Sequence, residues 1–502
     1  MLNRLTNAAM LEPQDDSFDG VPLQSDVLCV DMDGTYLRTD TLYECLLVAL
    51  KAKPQLLLHV PFWLAKGRLH LKQQLTKHAR GALDLGLCGR QPEVEALVRQ
   101  ARAQGKQVEL ITAADQALVC DEPSFRESFD AVIGSTDRTN LKAREKAELL
   151  RRRHPEGFAY VGNSSADLPV WEAASERFAV NLPNGVRRQA AREGLGLVEL
   201  APAAPVLPAL LKSMRLHQWL KNSLIFVPLA LTITRADLGD IATFLAAFVL
   251  FGLLASGTYM VNDLLDLEAD RRHPRKRNRP IPSGDLPLPV AGLASIGLIG
   301  TALLGAVLIS PPFAAALLAY LVVTLAYSLR LKREAMVDVL VIAVLFTLRI
   351  VAGMLLVETP LSHWLLMFSM FFFFSLALMK REVELNVMHQ RGVQSVPGRG
   401  YALDDRILVV CFGVSSGVAS LVIFSLFVST RVELIGRANY GAALMLWGAL
   451  ALLSYWMIRM WLLTTRGQMN DDPILYAVKD RASLMLGATM GLLMLAAQAL
   501  TL

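Results

Sequence analysis

Six stretches of the chain contain no Asp, Glu, Lys or Arg, and they constrain the fold more than any other feature. A helix that spans a bilayer needs about 20 mostly apolar residues, and each stretch is long enough. Two weaker segments lie at about 217–234 and 337–357. The charge-free stretches are 241–261, 286–329, 359–379, 407–430, 438–458 and 482–502, and 286–329 can form two spans. We therefore predict an all-α polytopic membrane domain of about nine transmembrane helices over residues 213–502.

The composition agrees with membrane spans and excludes several other classes of protein. Hydrophobic residues make up 53% of the 502 residues and charged residues only 19%, whereas an ordinary soluble domain carries about 25% charged residues. Disorder, a coiled coil and a simple cytosolic enzyme are therefore excluded. The net charge is +5. Because the basic residues concentrate in loops between spans, we predict no nucleic-acid partner.

Basic residues cluster in alternate loops, and this predicts the orientation in the membrane. Loops rich in Lys and Arg stay in the cytoplasm. With nine spans, the N-terminal domain and the charged loops would be cytoplasmic and the C-terminus outside, in a bacterial inner membrane. The basic loop residues are Arg271, Arg272, Arg275, Lys276, Arg277 and Arg279; Arg330, Lys332 and Arg333; Lys380, Arg381, Arg391 and Arg399; and Arg466, Lys479 and Arg481.

The first 200 residues have a different pattern, typical of a soluble α/β domain. After a loose N-terminus at 1–21, short β-branched runs alternate with helical stretches, which predicts a mostly parallel sheet over residues 22–200. A proline-rich linker follows at 201–212. The predicted strands are Val27–Val30, 108–111, 131–133, 158–161 and 178–180.

A leucine-rich segment at about 40–90 interrupts the α/β pattern. It carries scattered Lys, Arg and His and is predicted to be a helical insertion. Two interpretations stay open. The insertion is either a helical cap packed on the domain, or a surface that touches the membrane through residues 54–63.

A DMDGT motif begins at Asp31, directly after the first predicted strand. Two carboxylates two residues apart at a strand end suit nucleophilic phosphoryl transfer. Asp31 can attack phosphorus, and Asp33 can protonate the leaving oxygen and later activate water. The phosphate also needs a cation, and hard carboxylate oxygens suit Mg²⁺.

Three further pieces follow in the order found in the haloacid dehalogenase (HAD) superfamily of phosphatases, which residues 22–200 resemble. They are Thr112 at a strand end, Lys146 in a helix, and a GNSSADLP segment containing Asn163 and Asp167. The resemblance implies that Thr112 and Lys146 bind the phosphoryl group, with Lys142 as a second candidate for the lysine. Asp31, Asp33, Asn163 and Asp167 would form the metal end, Asp167 more as support.

One position departs from the HAD pattern. The superfamily usually has an Asp where this chain has Asn163. An amide oxygen can still bind Mg²⁺, but one negative charge is lost, so weaker metal binding is expected. An inactive HAD domain that serves as scaffold or regulator remains an alternative.

A second acidic cluster lies where the second span reaches the cytoplasm. Asp263, Asp266 and Asp270 are three and four residues apart, so they are predicted to share one helix face. Three such carboxylates repel each other unless a cation lies among them. A dense run of Arg and Lys follows directly over residues 271–279. The pattern is typical of a Mg²⁺–diphosphate site, with the metal on the acids and phosphate oxygens on the basic side chains.

This NDxxDxxxD pattern and the number of spans resemble the UbiA superfamily of intramembrane prenyltransferases. The match is closest to the branch of polyprenyl-phosphate phosphoribosyltransferases. It rests on RLHQWLKN at 215–222, the basic block after Asp270, YSLRLK at 327–332, KREVEL at 380–385, GRGY at 398–401 and DP at 472–473. The resemblance implies transfer of 5-phosphoribosyl from phosphoribosyl diphosphate to a polyprenyl phosphate, with one Mg²⁺ in each domain. Asp263 and Asp266 would be catalytic.

The implied substrate-binding residues carry positive charge or amide and hydroxyl groups. Arg349 stands about eleven residues into its span, where a lipid or ligand phosphate or a structural ion pair could neutralise it. Lys332 could bind phosphate or extend to the membrane interface. The full set is Arg215, Gln218, Lys221, Asn222, Asn262, Arg271, Lys276, Arg277, Arg279, Tyr327, Lys332, Arg349, Lys380 and Arg381.

Two alternative functions stay open. The first is an aromatic prenyltransferase, but that branch has a second motif of two Asp four residues apart, and here Asp338 is followed by Ile342 at that spacing. The second is a transport or lipid-binding protein with a regulatory HAD domain. In the favoured hypothesis, the HAD domain removes the 5-phosphate from the lipid-linked product. The enzyme could also form a homo-oligomer.

Overall fold

The computed structural model describes residues 23–120, 122–136, 139–233, 236–357, 362–391, 400–435, 440–469 and 472–499. The predicted loose N-terminus at 1–21 lies outside these residues, as do Gly398 and Arg399 of the GRGY motif. The chain divides into two compact units. The first contains the described residues up to Leu210 together with Asp266–Ala291, and the second contains Leu211–Leu265 and the residues from Gly292 onward.

The first unit is built on a six-stranded parallel sheet with strand order β3-β2-β1-β4-β5-β6. The predicted α/β fold class is therefore confirmed. The short edge strand β6 was not predicted, because its sequence VELA shows no β-branched run. The strands are β1 (Val27–Val30), β2 (Gln107–Asp115), β3 (Ala131–Ser135), β4 (Ala159–Gly162), β5 (Glu176–Val180) and β6 (Val198–Ala201).

Both faces of this sheet are covered, which explains the continuous apolar runs of the strands. Along β1, Leu28 and Val30 pack into one buried cluster, and Cys29 points into the cluster on the opposite face. The helices of this part are α1 (Thr41–Ala52), α2 (Val60–Ala65), α3 (Arg68–Ala79), α4 (Pro92–Ala103), α5 (Gln116–Val119), α6 (Pro123–Ser128), α7 (Arg144–Arg153), α8 (Leu168–Ala173), α9 (Asn184–Arg192) and α10 (Val206–Met214).

The insertion predicted at about 40–90 is helical. It comprises α1 to α3 with short 3-10 helices at Pro54–Leu58 and Leu85–Leu87. Asp40 caps α1, because its side chain accepts a hydrogen bond from the Leu42 amide. The inner faces of these helices share a separate small core of Cys45, Ala49, Leu56, Leu71, Leu75 and Ala79.

The second unit is all-helical, and eight helices in the described chain are long and apolar enough to cross a membrane. Its elements are α11 (Val227–Leu231), α12 (Leu238–Leu265), α15 (Leu288–Ile309), α16 (Pro311–Leu329), α17 (Val337–Met354), α18 (His363–Arg391), α19 (Arg406–Ile435), α20 (Tyr440–Thr465), α21 (Pro473–Lys479) and α22 (Arg481–Ala499). Helices α13 (Leu267–Arg272) and α14 (Pro280–Ser283) belong to the first unit, where α15 also begins.

The difference from the predicted nine spans lies at residues 217–234. Here the chain forms a 3-10 helix, Leu216–Phe226, followed by the short α11, which contains Pro228. This irregular segment packs tightly. A Cβ on Gly252 would lie 2.6 Å from the Trp219 ring, and one on Gly353 would lie 2.1 Å from the Ile225 carbonyl oxygen. Close backbone contact rather than regular helix length holds the segment in place.

Helix α18 extends well beyond the predicted span at 359–379. It continues through Lys380, Arg381 and Glu384 to Arg391. The end of an apolar stretch marks where charge begins, and a helix can continue past that point when its charged side chains find partners.

Candidate active sites

The first candidate site lies at the carboxyl end of the parallel sheet. Asp31 follows β1, and its amide donates to the Val161 carbonyl oxygen of the neighbouring β4 at 3.0 Å. Asn163 follows β4. Carboxyl ends of neighbouring parallel strands meet at one sheet edge, where α/β proteins bind their ligands. The fold therefore brings the DMDGT loop and the GNSSADLP loop together.

Asp31 forms a buried ion pair with Lys146. The Lys146 Nζ lies 2.6 Å from Asp31 Oδ1 and 3.1 Å from the Tyr160 hydroxyl oxygen. Burial raises the pKa of Asp31 to about 6, although the Lys146 charge opposes the rise. Burial alone would lower the pKa of Lys146, but the charges of Asp31 and Asp167 raise it. Lys142, the second candidate, is exposed.

Asp33 is held by the start of the helical insertion. Its Oδ1 accepts from the Thr41 amide at 2.9 Å and its Oδ2 from the Thr41 hydroxyl at 3.1 Å. Burial, together with the charge of Asp40, raises the pKa of Asp33 to about 7. A carboxyl group with this pKa is partly protonated near neutral pH, so it can donate a proton to a leaving group.

Asp167 holds the loop in shape. Its Oδ1 accepts from the Tyr160 hydroxyl at 2.6 Å, and its Oδ2 accepts from the Asn163 amide at 3.1 Å and the Ser164 amide at 2.9 Å. The Asn163 side chain lies over Gly34, where a Cβ would be 2.2 Å from Nδ2. Asp31 and Asn163 follow neighbouring strands at the same edge of the sheet, and both carry hard oxygen donors of the kind that suits Mg²⁺.

The remaining residues of this site include some that the sequence did not indicate. Thr112 is buried in β2, and its hydroxyl accepts from the Ala114 amide at 3.0 Å. The Thr35 hydroxyl donates to Asp31 Oδ2 at 3.3 Å. Thr35 could have been found because it completes the DMDGT motif, whereas Tyr160 and Thr41 have no local signal.

The segment Asp266–Ala291 belongs to the first unit through a second buried ion pair. The Arg271 guanidinium donates to both Glu44 oxygens, at 2.6 and 3.1 Å, and to the Pro282 carbonyl oxygen at 3.2 Å. Both side chains of the pair are at most 5% exposed. The resemblance implied that Arg271 binds a substrate phosphate. In the structure its guanidinium is paired with Glu44 instead.

Backbone contact strengthens this attachment. Gly284 has a positive φ of 84°, and a Cβ there would lie 2.3 Å from the Arg38 carbonyl oxygen. Only glycine fits this combination of conformation and close approach. The Arg38 guanidinium pairs with Asp285 at 2.6 Å. Four side chains and one glycine therefore fix the segment within the first unit.

The acidic cluster does not lie on one continuous helix. Helix α12 ends at Leu265 and α13 begins at Leu267, so the helix is interrupted at Asp266. The prediction of one shared helix face was wrong in this respect. Within the first unit, Asp270 is buried and pairs with Arg279 at 2.7 Å and Lys276 at 3.4 Å. Arg277 is exposed.

Asp263 lies in the second unit and has its own basic partner. An Arg215 nitrogen donates to both carboxylate oxygens, at 2.5 and 2.6 Å. The Arg215 guanidinium also lies 5.3 Å from the centre of the Tyr259 ring. Asp263 is only 2% exposed, so its charge depends on this neighbour.

Two lysines of the second unit share one carboxylate. Asp472 caps α21, and its Oδ2 lies 3.0 Å from the Lys221 Nζ and 3.3 Å from the Lys380 Nζ. Burial would raise the pKa of Asp472, but the two lysines lower it. Among the residues that the structure describes, two positive charges face one negative charge here, so the cluster carries excess positive charge.

Arg349 is a buried cation with neutral partners. It donates to the Asn222 side-chain oxygen at 3.0 Å, the Tyr320 hydroxyl at 2.9 Å and the Leu345 carbonyl oxygen at 2.6 Å. Lys221 and Arg349 lie 5.9 and 5.2 Å from the centre of the Phe346 ring. Within the described residues, no carboxylate pairs with Arg349, so the structural ion pair considered for it is not observed there.

Asp338 is fully buried and already neutralised. Its Oδ2 pairs with Arg381 at 2.8 Å, and its Oδ1 accepts from the Tyr401 hydroxyl at 2.6 Å. Arg381 also pairs with Glu384. Asp338 is therefore part of an internal ion pair, and Arg381, a predicted phosphate ligand, is its counter-charge.

The other predicted substrate-binding residues are partly accessible. Gln218, Asn262, Tyr327 and Lys332 are all half-buried. Gln218 follows Arg215 by one helical turn, and its amide donates to the Arg215 carbonyl oxygen at 2.7 Å. Lys332 lies in the 3-10 turn Leu331–Arg333 after α16.

Residues 223–490 match the UbiA prenyltransferase family. The chain belongs to this family. It is 41% identical to the uncharacterized protein y4nM of Sinorhizobium fredii over 466 residues, which cover 92% of this chain and 89% of y4nM. It is 35% identical to the nodulation protein NoeC of Azorhizobium caulinodans over 291 residues, covering 57% of this chain and 92% of NoeC.

A third relative is the decaprenyl-phosphate phosphoribosyltransferase of Mycobacterium tuberculosis. The two are 36% identical over 195 residues, covering 38% of this chain and 65% of that enzyme. The resemblance to UbiA is thereby confirmed, and with eight candidate spans the UbiA member is a multi-pass membrane protein. A transport or lipid-binding protein is correspondingly disfavoured.

The Glu44–Arg271 pair generates a first prediction. Glu44→Ala should leave a buried guanidinium without its partner, which costs about 3 kcal/mol. At about 1.4 kcal/mol for each tenfold change, amide hydrogen exchange in Asp266–Ala291 should rise roughly hundredfold. Mass spectrometry of the full-length protein measures this exchange.

Glu148→Ala is the matched control. Glu148 and Arg152 form an exposed pair on α7, with side chains 63% and 82% accessible, so removing it should leave exchange unchanged. Equal exchange in the two variants would mean that the buried pair does not hold the segment.

Proposed function

We propose that this UbiA enzyme transfers the 5-phosphoribosyl group from phosphoribosyl diphosphate to a polyprenyl phosphate. The HAD-like domain then removes the 5-phosphate, which gives a polyprenyl-phosphoryl ribose for arabinose or ribose donor synthesis. The relative from Mycobacterium tuberculosis, named for phosphoribosyl transfer to decaprenyl phosphate, supports the first step.

The observation that carries the choice of donor is the buried Asp338–Arg381–Tyr401 group. An aromatic prenyltransferase would need a second acidic pair for a second metal–diphosphate contact. Here Asp338 has one oxygen on Arg381 and the other on Tyr401, and it is 0% exposed. The one acidic motif of this kind in the sequence, NDLLDLEAD at 262–270, then serves a single sugar diphosphate, with Mg²⁺ to neutralise it.

The acceptor assignment rests on the excess positive charge in the second unit. Lys221 and Lys380 share Asp472, and Arg349 has neutral partners. Buried cations need an anion nearby. The phosphate of a polyprenyl phosphate supplies one, and its prenyl chain suits an enzyme that spans the bilayer.

The chemistry of the transfer needs no covalent enzyme intermediate. Diphosphate leaves the anomeric carbon, positive charge develops there, and an oxygen of the polyprenyl phosphate attacks it. The side chains position both substrates and stabilise the separating charges. Bound Mg²⁺ would supply charge neutralisation at the diphosphate.

The geometry of the first unit supports the proposed phosphatase step. Asp31 attacks phosphorus, and Lys146 at 2.6 Å from Asp31 stabilises the phosphoryl oxygens. Asp33, with its pKa raised to about 7 by burial, protonates the leaving ribose oxygen and then takes a proton from water. Asp31 and Asn163 would hold Mg²⁺, which supplies positive charge for the phosphate.

We place the HAD-like domain and the basic loops in the cytoplasm of a bacterial inner membrane. The asymmetry of Lys and Arg between loops supports this orientation. Phosphoribosyl diphosphate and the phosphate group of the polyprenyl phosphate would then both be on the cytoplasmic side. The two reactions could therefore occur in sequence on one side of the membrane.

The acidic cluster predicts a loss of transfer. Asp263→Asn should reduce phosphoribosyl transfer at least about hundredfold, because it removes a carboxylate that would hold the Mg²⁺ neutralising the leaving diphosphate. The measurement follows labelled phosphoribosyl diphosphate into lipid extracts of purified protein supplied with polyprenyl phosphate. Asp240→Asn, at the opposite end of α12, is the control and should keep full activity.

Two outcomes would contradict this assignment. A well-folded Asp263→Asn protein with near-normal transfer would remove the acidic cluster from the reaction. Prenylation of 4-hydroxybenzoate from a prenyl diphosphate, without phosphoribosyl transfer, would identify an aromatic prenyltransferase instead.

The HAD-like site predicts a second, separable reaction. Asp31→Asn should leave the first transfer intact and cause the 5-phosphorylated lipid to accumulate, because the nucleophile is lost. Thin-layer separation of the two labelled lipids gives their ratio. Asn163→Asp restores a negative charge and should lower the Mg²⁺ concentration needed for dephosphorylation. An identical ratio in wild type and Asp31→Asn at every Mg²⁺ concentration would show a scaffold domain.

The two lysines provide a sharper test of the same site. Lys146→Ala should slow dephosphorylation about hundredfold or more, because it removes the cation beside the nucleophile. Lys142→Ala should have little effect, since Lys142 is exposed. The opposite ranking would exclude the Lys146 assignment without affecting the transferase.

A further inference from the structure

The tip of the helical insertion exposes an unusually apolar surface. We define this cap tip as residues 51–68, from the end of α1 to the start of α3. Leu57, Leu58, Phe62 and Leu64 are 59%, 72%, 70% and 50% exposed. Large apolar side chains grouped in this way are rare on a soluble domain unless they bind something.

The cap tip is anchored on its other side. Leu56 is buried in the small core of the insertion, and Val60 and Trp63 pack against that core. The Trp63 ring stacks on His78 at 5.7 Å between ring centres. The inner residues fix the backbone, so the outer apolar side chains point away from the core as a preformed surface.

The charged residues of the cap tip and of the sequence next to it are all basic. Residues 45–83 contain seven Lys and Arg and no Asp or Glu. Four of the basic residues, Lys51, Lys53, Lys66 and Arg68, flank the apolar side chains and are exposed. Exposed apolar side chains flanked by Lys and Arg are the pattern of a segment that lies in the interface of an anionic bilayer.

We infer that the cap tip binds the surface of the membrane that this same chain spans. The apolar side chains enter the headgroup boundary, and the flanking basic residues contact anionic lipid phosphates. The family membership and the eight candidate spans already attach the chain to a bilayer, so no further partner is required. The inference does not depend on either proposed reaction.

The test uses the full-length protein in lipid nanodiscs that contain phosphatidylglycerol with brominated acyl chains. Cys29, Cys45 and Cys88 are buried, so Cys120→Ser and Cys411→Ser give a suitable background. A nitrobenzoxadiazole label is attached at Phe62→Cys. The matched control is Arg152→Cys on α7, because the Arg152 side chain is 82% exposed and lies outside the insertion.

At position 62 we expect blue-shifted emission, quenching by the brominated lipid and protection from aqueous iodide. At position 152 we expect no blue shift, no quenching by the brominated lipid and full quenching by aqueous iodide. Replacing phosphatidylglycerol by brominated phosphatidylcholine should weaken the quenching at 62, as should exchanging the four flanking basic residues for Gln.

Three results would overturn the inference. Equal iodide quenching at positions 62 and 152 would mean that the tip stays in water. Protection from both iodide and brominated lipid would mean that a protein surface, such as a second copy of the chain, covers it. Equal lipid quenching in neutral and anionic discs would refute the role of the basic residues.

Discussion

Compensation of buried charge is the constraint on which the rest of this protein depends. An ion removed from water costs several kcal/mol unless a partner of opposite charge and hydrogen bonds replace the solvent. In the first unit, Lys146 neutralises Asp31, and Arg271 neutralises Glu44. Each pair fixes two elements that are far apart in sequence. The geometry of the candidate phosphatase site and the attachment of the segment Asp266–Ala291 therefore follow from the same requirement.

The sequence predicted the parts of the fold that have a local pattern. Val27–Val30 was predicted with the bounds that the structure has, because an apolar run ends at a carboxylate. The partners that complete the sites have no such pattern. Lys146 and Asp31 are 115 residues apart, and Arg271 and Glu44 are 227 apart. A motif indicated the Asp31–Lys146 site, whereas nothing in the sequence indicated that Glu44 would pair with Arg271.

Counting charges was informative for the membrane unit but failed where polar side chains satisfy one another. Asn222 accepts from Arg349, and Arg381 pairs with Asp338. Both groups lie in segments that hydropathy treats as interrupted or ended. Hydropathy measures transfer of isolated side chains into lipid, and it does not include the hydrogen bonds that form between helices. The structure differs from the predicted spans for this reason in two places, the irregular segment Leu216–Phe226 and the extended α18.

The position of Arg271 also limits how the phosphates of a diphosphate could be held. A guanidinium that donates to both Glu44 oxygens and to Pro282 has few donors left for a ligand. Lys276 and Arg279, which pair with Asp270 in the same segment, are better placed to exchange a protein carboxylate for a ligand phosphate. The basic block therefore contains Arg271, which attaches the segment to the helical insertion, and Lys276 and Arg279, which pair with Asp270. Because Glu44 belongs to the helical insertion, the segment that follows the acidic motif depends on the first unit for the partner of its buried arginine.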